Sequence, residues 1–325
     1  MVALALQLTT RPRHLTRAAA AALLGLHALA AQAHVVALEA GEAQTFGWRF
    51  PFWVSTLLAV GAVFYGIGFV RLERRGAGGR AVRRTHAAAF FSGWLALTLV
   101  FVSPLDALTG ALFSAHMVQH EAMMLLCAPL IVLGRPFGVM LWALPHPVRL
   151  AIGRLLRAHA WTRCWRRLAS PLCAWWLHAV ALWAWHAPLL FEAALANAGV
   201  HTLQHASFLL TALLFWRGIV GEMATRRGAG SAMLSLFTTM VHTGALGALI
   251  ALAPGVWYPS YIEPTSALGM DPLQDQQLGG LIMWIPGAVA YLIGALAVAS
   301  RWLRERPGHR WLPGAHERPA LEETR

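Results

Sequence analysis

Long apolar stretches separated by short charged segments dominate the chain. About 20 consecutive apolar residues are needed for a helix to cross the hydrocarbon core of a bilayer. Seven stretches meet this requirement, at approximately 52–70, 87–103, 113–134, 170–187, 200–217, 231–253 and 279–300. The pattern predicts an all-α integral membrane protein, with a bundle of seven transmembrane helices over residues 52–300.

A separate apolar stretch near the amino terminus has a different character. Arg11, Arg13 and Arg17 precede "AAAAALLGLHALA", which is followed by Ala31-Gln32-Ala33. A basic segment, a short apolar segment and an A-x-A end are typical of a secretory signal peptide. We therefore predict a signal peptide over residues 1–33 and a periplasmic amino-terminal segment over 34–51. An uncleaved first span is the alternative.

The arginines assign the two sides of the membrane. All 26 basic residues are arginine, and 22 of them lie in the loops that follow the first, third, fifth and seventh spans, against Arg49 alone on the other side. By the positive-inside rule the arginine-rich side is cytoplasmic. The mature amino terminus is then periplasmic, and residues 301–325 form a cytoplasmic tail.

Composition agrees with this class of protein. The chain is 58% hydrophobic and only 12% charged, whereas soluble domains carry about 25% charged residues. A net charge of +12 is also seen in nucleic-acid-binding proteins. Here the arginines are spread over loop ends, where they meet anionic lipid headgroups. The predicted partner of these charges is the lipid bilayer, and nucleic acid is excluded.

Two long loops carry further patterns. Residues 135–169 alternate apolar clusters with arginines after a Pro-His-Pro break, which predicts an amphipathic helix in the cytoplasmic interface, with a re-entrant segment as the alternative. The predicted outer loop 254–278 contains acidic residues and no basic one. Its Trp257, Tyr258 and Tyr261 suit the headgroup zone.

Histidines concentrate at the predicted outer end of the bundle. The third span opens with "HMVQH", which contains His116 and His120, and the fifth opens with "HTLQH", which contains His201 and His205. His186 closes the fourth span on the same side. Polar groups inside membranes are costly and are usually functional. The two motifs and His186 therefore predict a metal or cofactor site.

The third span adds softer ligand types. Offsets of 4, 7 and 11 residues from His116 return to nearly one face of an α-helix, and they select His120, Met123 and Cys127. Imidazole, thioether and thiol suit copper, particularly Cu(I). Taken alone, Met123 and Cys127 are also ordinary packing residues. Copper is the predicted cofactor.

Several polar residues are candidates for a supporting shell or for docking. Gln119, Glu121 and Gln204 are suited to fix the tautomer of an imidazole. His178 and His242 lie near the middle of the fourth and sixth spans, where a hydrogen bond between helices is the alternative role. Asp106, and Asp275 with the two glutamines that follow it, face the outer side before their spans. Their alternative role is that of solvated loop residues.

Three motifs together resemble the CtaG family of cytochrome c oxidase assembly factors, over about residues 48–300. They are "HMVQHEAMMLLCAPLIVLGRP", "WAWHAPLLFEAAL" with "HTLQHASFLLTALLFW", and "DQQLGGLIMWIPG". The resemblance implies a seven-span protein of the bacterial inner membrane, without enzymatic activity, that acts in copper supply to a haem-copper cytochrome c oxidase. The family's motif positions fall on His116, His120, His186, His201, His205 and Asp275 to Gln277. Glu121 departs from the pattern, since an apolar residue is expected there.

Two other functions stay open from the residues. A haem-binding membrane oxidoreductase is one, because histidines from two helices often ligate haem. A bis-histidine haem would leave one motif pair unexplained, so no haem is expected. A copper permease is the other. It would need polar groups that continue to the cytoplasmic side, and the inner halves of the third and fifth spans offer little beyond Thr211. The oligomeric state stays open.

Overall fold

The structure is a computed structural model that describes residues 47–76, 78–223 and 228–304, with side chains omitted at 222 and 223. The predicted signal peptide over 1–33 lies outside the described residues. So do most of the amino-terminal segment 34–51 and most of the tail 301–325.

The described residues form helices joined by short turns, and no strand occurs among them. The predicted all-α class is confirmed. In chain order the α-helices are α1 (Phe52–Glu73), α2 (Arg80–Val102), α3 (Pro104–Leu108), α4 (Phe113–Glu121), α5 (Ala128–Leu133), α6 (Pro136–Met140), α7 (His146–Arg157), α8 (His159–Leu168), α9 (Pro171–His186), α10 (Pro188–Ala196), α11 (Ala198–Met223), α12 (Ala229–Ala251), α13 (Ile262–Ala267) and α14 (Pro272–Arg304). A π-helical segment covers Ala122–Cys127, and 3₁₀ turns cover Leu141–Ala143 and Pro259–Tyr261.

Six of the helical segments are long and apolar enough to cross a membrane. They are α1, α2, the continuous segment Phe113–Leu133, α11, α12 and α14. The one remaining predicted span, the fourth, corresponds to α9, which has 16 residues and reaches spanning length only together with α8. These two helices are bent by 59° at their junction. The chain is therefore a multi-pass membrane protein with six spans, or seven if the bent pair counts as one.

Two helices extend beyond the predicted spans. Helix α2 begins at Arg80 rather than at 87, and α14 begins at Pro272 rather than at 279. Hydropathy marks the apolar part of a span, whereas both helices continue beyond it into polar sequence. In α14 this extension places Asp275 inside the first turn of the helix instead of in a loop before it.

Proline sets several helix starts. Pro104, Pro136, Pro171, Pro188 and Pro272 are each the first residue of a helix, a position where the missing N–H costs no hydrogen bond. Helix α9 is thereby bounded by one proline at its start and another just past its end. Its last residue falls at the end of the bundle where α4 and α11 begin.

Glycines let α14 pack closely against its neighbours. A Cβ atom on Gly247 of α12 would lie 2.8 Å from the carbonyl oxygen of Gly280 on α14, so the two backbones touch there. Gly279 offers the same space to the ring of Phe113 at the start of α4. Small residues that permit close approach are common at helix contacts in membranes. This contact seats α4 against α14.

The segment between the third and fourth spans is helical, as predicted, and consists of α6, a 3₁₀ turn, α7 and α8. Arg71 of α1 donates to the backbone carbonyls of Trp142 and Ala143 at 3.1 Å and 2.7 Å. The guanidinium of Arg149 lies 4.1 Å from the centre of the Trp142 ring. These contacts tie the segment to the first span. Its placement on the cytoplasmic side stays a prediction.

Two apolar clusters fill the bundle. The larger includes Tyr65, Phe90 and Leu236 and runs through its middle. The smaller includes Phe113 and Tyr261 and lies where α4, α10, α14 and the segment 252–271 meet. The candidate site lies directly beside the smaller cluster.

Candidate metal centre

Five histidines from three helices meet at one end of the bundle, which we call the histidine end. His116 and His120 come from α4, His186 is the last residue of α9, and His201 and His205 lie in the first two turns of α11. Neighbouring imidazole centroids are between 4.2 Å and 6.2 Å apart. These five residues form the histidine cluster. The structure thus brings both His-x-x-Gln-His motifs together with His186.

Three of the rings direct nitrogens towards one point. One ring nitrogen from each of His116, His120 and His205 lies within 4.8 Å of the other two. The Nε2 atoms of His116 and His120 are 3.0 Å apart. Neutral imidazole nitrogens are common ligands of transition metals. The arrangement offers three nitrogen ligands to a single metal ion.

The histidine cluster is enclosed by protein. His116 and His120 are each 1% exposed, His186 is 2% exposed and His205 is 8% exposed. His201 is partly exposed, so it connects the cluster to the surface. Polar side chains that are buried to this extent need hydrogen-bond or metal partners, because unpaired polar groups are costly away from water.

Tyr261 fixes the tautomer of His116. Its hydroxyl donates to the carbonyl of Thr109 at 2.9 Å, and the same oxygen lies 2.8 Å from His116 Nδ1. Burial, together with the negative charge of Asp275, raises the pKa of the Tyr261 phenol well above its usual value, so the phenol keeps its proton. The hydroxyl oxygen therefore accepts from His116 Nδ1–H. The lone pair of His116 is left on Nε2, which faces His120.

A backbone carbonyl fixes the tautomer of His186. Its Nδ1 donates to the carbonyl of Leu182 at 2.7 Å, which leaves the lone pair on Nε2. The carbonyl of His186 in turn accepts from the Tyr258 hydroxyl at 2.8 Å. Hydrogen bonds of this kind orient metal-binding imidazoles and raise their basicity.

Several polar atoms in the histidine cluster are buried and have no hydrogen-bond partner among the described residues. They are Nδ1 of His120, Nε2 of His186, Nε2 of His205 and both side-chain amide atoms of Gln204. Most buried polar atoms in folded proteins have a partner. The unpartnered imidazole nitrogens lie beside the convergent ones, as a ligand-binding site requires, and the supporting role of Gln204 stays a prediction.

Gln119 orients an aspartate rather than an imidazole. Its amide nitrogen donates to the Asp106 carboxylate at 2.9 Å and to the Val100 carbonyl at 3.0 Å. Burial raises the pKa of Asp106, and the Gln119 hydrogen bond and the charge of Arg49 oppose that rise. Asp106 is thus a partly buried anchor of the turn at α3. The predicted tautomer-fixing role of Gln119 is filled instead by Tyr261.

Glu121 points towards α14. Its Oε2 atom would lie 3.4 Å from a Cβ atom placed on Gly287. Among the described residues no hydrogen bond joins Glu121 to a histidine. Glu121 therefore belongs to the contact between α4 and α14. Its contacts do not reflect the predicted role of supporting an imidazole.

Asp275 caps α4. Its carboxylate accepts from the backbone N–H of Phe113 at 2.6 Å, from the N–H of Ser114 at 3.3 Å and from the Ser114 hydroxyl. The side chain is fully buried. The first N–H groups of a helix lack partners within the helix, and a carboxylate satisfies them. Asp275 is therefore neither a solvated loop residue nor a docking group, and it holds the amino end of the helix that carries His116.

Met123 and Cys127 lie below the histidine cluster. Both are fully buried and belong to the larger apolar cluster. They fall in the π-helical segment, whose hydrogen bonds connect residues five apart. The predicted stripe from His116 assumes α-helical spacing throughout, so it does not continue unchanged below Glu121. Cys127 is not part of the convergent group.

His178 and His242 are separate from the cluster and lie deeper in the bundle. His178 Nδ1 lies 3.2 Å from the Thr211 hydroxyl, and the Trp183 indole donates to His242 Nδ1 at 3.4 Å. Neither contact involves the histidine cluster. They form a second polar layer rather than a supporting shell for the first.

The sequence interpretation missed the aromatic residues around the cluster. Tyr258 and Tyr261, assigned above to the headgroup zone, are 1% and 2% exposed and fold back onto the histidine end. The ring of Phe191 lies 5.2 Å from that of His116, and Phe208 lies 4.7 Å from His120. Only the density of aromatic residues in the segment 254–278 hinted at this role.

The fold and the site together define a class of protein, a multi-pass helical membrane protein with a buried histidine cluster at one end. Within that class the chain belongs to the Caa3_CtaG family, the cytochrome c oxidase caa3 assembly factors, whose model matches residues 63–305. The resemblance stated from the sequence is confirmed.

Curated relatives extend beyond the length of this chain. Uncharacterized proteins of Mycobacterium bovis and Mycobacterium tuberculosis are 27% identical to it over 270 residues, and one of Mycobacterium leprae is 26% identical over 275 residues. Each match covers 79% of this chain and 40% of the relative. The chain thus spans less than half the length of these relatives. No solved structure matches the chain.

Proposed function

We propose that the protein is an assembly factor that binds copper in the histidine cluster and supplies it to a haem-copper cytochrome c oxidase. The family supports the assembly role. In this proposal copper is the cargo, the oxidase subunits are the partners, and the protein catalyses no reaction itself.

The observation that carries the copper proposal is the convergence of His116, His120 and His205. Their donor nitrogens lie within 4.8 Å of one another, and Tyr261 leaves the His116 lone pair facing the shared point. Nε2 of His186, which is buried and has no hydrogen-bond partner among the described residues, is a further nitrogen beside them. Imidazole ligands suit copper, which is the metal that a haem-copper oxidase must receive.

The proposal also assigns the histidine end to one side of the membrane. The arginine distribution supports a periplasmic position for the histidine end and a cytoplasmic position for the loops at the opposite end. In this arrangement copper enters the cluster from the periplasm of a bacterial inner membrane. His201, the partly exposed ring, is the first imidazole that an incoming ion meets.

Metal analysis of the purified protein tests this proposal. Anaerobic loading with Cu(I) followed by dialysis should leave copper on the wild type, and His120→Ala and His205→Ala should each lose it. His86→Ala is the matched control, because His86 bonds the Leu133 carbonyl at the other end of the third span. Failure of the wild type to retain copper, or equal loss in the control, contradicts the proposal.

Two further measurements separate the alternatives. A stoichiometric Soret band in the purified protein would replace the copper proposal with a haem-binding role. In cells, deletion of the gene should lower cytochrome c oxidase activity, and added copper should restore part of it. Unchanged oxidase activity after deletion would overturn the assembly role.

A further inference from the structure

A second group of polar side chains lies deeper in the bundle than the histidine cluster. His178 precedes His186 by eight residues on α9, which is about 12 Å along a helix that rises 1.5 Å per residue. Trp175 precedes His178 by three residues on the same helix, a spacing that places the two side chains next to each other. His242 lies on α12. The Trp175 ring packs edge-on against His242, with centroids 5.5 Å apart. We call these three residues the middle layer.

Thr211 determines which nitrogen of His178 is an acceptor. The Thr211 hydroxyl donates to the Ser207 carbonyl at 2.8 Å, so its oxygen accepts from His178 Nδ1–H at 3.2 Å. A neutral His178 then carries its lone pair on Nε2. His178 is 1% exposed, and this Nε2 atom has no partner among the described residues. One buried acceptor therefore needs a donor.

His242 and Trp175 present the opposite requirement. The Trp183 indole donates to His242 Nδ1 at 3.4 Å, so a neutral His242 carries its proton on Nε2. That nitrogen is buried, and neither it nor the indole nitrogen of Trp175 has a hydrogen-bond partner in the part of the chain that the structure describes. An indole nitrogen can only donate. These two buried donors therefore need an acceptor, whereas the buried acceptor of His178 needs a donor.

We propose that the middle layer binds a water molecule, which accepts from His242 Nε2–H and Trp175 Nε1–H and donates to His178 Nε2. Buried waters in proteins typically make about three hydrogen bonds to polar groups that have no other partner. A metal ion fits this set less well, because two of the three groups present hydrogens. The inference is independent of copper binding in the histidine cluster.

A bound water here extends the polar interior of the bundle. The inner halves of the third and fifth spans carry little polar sequence beyond Thr211, which argued against a polar route below the histidine cluster. The structure uses Thr211 to orient His178 and supplies the remaining polar groups from α9 and α12. The middle layer is then a second polar position, about 12 Å from His186 along α9.

Water-edited solid-state NMR of the wild-type protein in liposomes tests the proposal without altering the fold. Magnetisation should pass from water to the Trp175 indole several-fold faster than to the Trp216 indole. Trp216 is the matched control, because its N–H is buried and donates to the Met124 carbonyl at 2.9 Å. The Trp175 resonance is identified by its loss in Trp175→Phe. Equal transfer to the two indoles would overturn the proposal.

A double-mutant cycle gives a second readout. If His178 and His242 share one water, His178→Phe and His242→Phe should lower the melting temperature non-additively, since the second change removes a group whose partner is already lost. His178→Phe combined with Thr239→Val should be additive, because the Thr239 hydroxyl donates to the Ser235 carbonyl of its own helix. Additivity in the first pair contradicts a shared water.

Copper stoichiometry distinguishes a water from a metal. With the histidine cluster intact, His178→Phe should retain as much Cu(I) as the wild type. Loss of one copper in this variant would assign a metal ion to the middle layer and overturn the water. Absence of copper from the wild type would contradict the proposed function and leave the NMR result for the middle layer standing.

Discussion

Replacement of Tyr261 by phenylalanine should weaken copper binding while leaving the cluster otherwise intact. The change deletes the hydroxyl that accepts from His116 Nδ1 at 2.8 Å and donates to the Thr109 carbonyl at 2.9 Å. A typical hydrogen bond contributes about 1 kcal/mol net. Without the phenol the two neutral tautomers of His116 become comparable, and the lone pair is no longer held on Nε2. At 1.4 kcal/mol per factor of ten, about 1 kcal/mol corresponds to a loss of roughly fivefold in Cu(I) affinity, which is somewhat below the usual range for partners of metal-binding histidines.

Competition with a chromogenic Cu(I) chelator measures the affinity, and thermal unfolding of the same samples measures stability. Tyr258→Phe is the matched control, since Tyr258 lies in the same segment, is equally buried, and donates to the backbone carbonyl of His186 rather than to a ring nitrogen. It should lower stability without a comparable loss of affinity. Equal affinities for the two variants, or an unchanged affinity in Tyr261→Phe, would refute the tautomer argument.

Two further variants test the surroundings of the site. Asp275→Asn should destabilise the protein by about 2 kcal/mol, because it removes the charge from the hydrogen bonds to Phe113 and Ser114. Asp271→Asn, which changes an exposed cap on Gln274, should change the melting temperature far less, and similar losses in the two variants would contradict the capping role. Burial raises the pKa of Asp106, so this carboxyl binds a proton more tightly in the folded protein than in the unfolded chain. The stability that the protonated carboxyl contributes is present below the usual pKa of 3.8, and it is lost as pH rises through the pKa of the folded state. Asp106→Asn should therefore show a flatter dependence of melting temperature on pH in this range, and an unchanged slope would count against the burial argument.

The helical spans and the meeting of the histidine motifs could be predicted from local sequence. Hydropathy over about 20 residues locates a span, and the arginine count gives each span a direction. Once two spans start on the same side, motifs at their starts lie at the same depth. That argument placed His116 and His120 beside His201 and His205, and the ring contacts agree with it.

The contacts that organise the site could not be predicted in this way, because they join distant parts of the chain. Asp275 reaches Phe113 across 162 positions, and Tyr261 reaches His116 across 145. An acidic residue or a tyrosine between two spans is equally consistent with a solvated loop. Only the packing of α14 against α4 turns Asp275 into a buried cap.

The π-helical segment was also beyond the reach of sequence pattern. The residues "AMMLLC" at Ala122–Cys127 are apolar and suit an ordinary helix. The shift to hydrogen bonds five residues apart has no compositional signal here. The shift changes the helical register between the pair His116 and His120 and the later residue Cys127. The predicted α-helical stripe therefore does not extend from the histidines to Cys127.

The enclosure of the histidine cluster governs the rate of exchange as well as affinity. Four of its five imidazoles are no more than 8% exposed, so water cannot replace them one by one around a bound ion. On the proposed function, a bound ion would leave past the partly exposed His201 or after opening of the segment that carries Tyr258 and Tyr261, which is a local unfolding event with its own free energy. The dissociation rate is then set by helix and loop packing rather than by bond strength. A bound ion would exchange slowly in the isolated protein, and a partner that displaces this segment would accelerate its release.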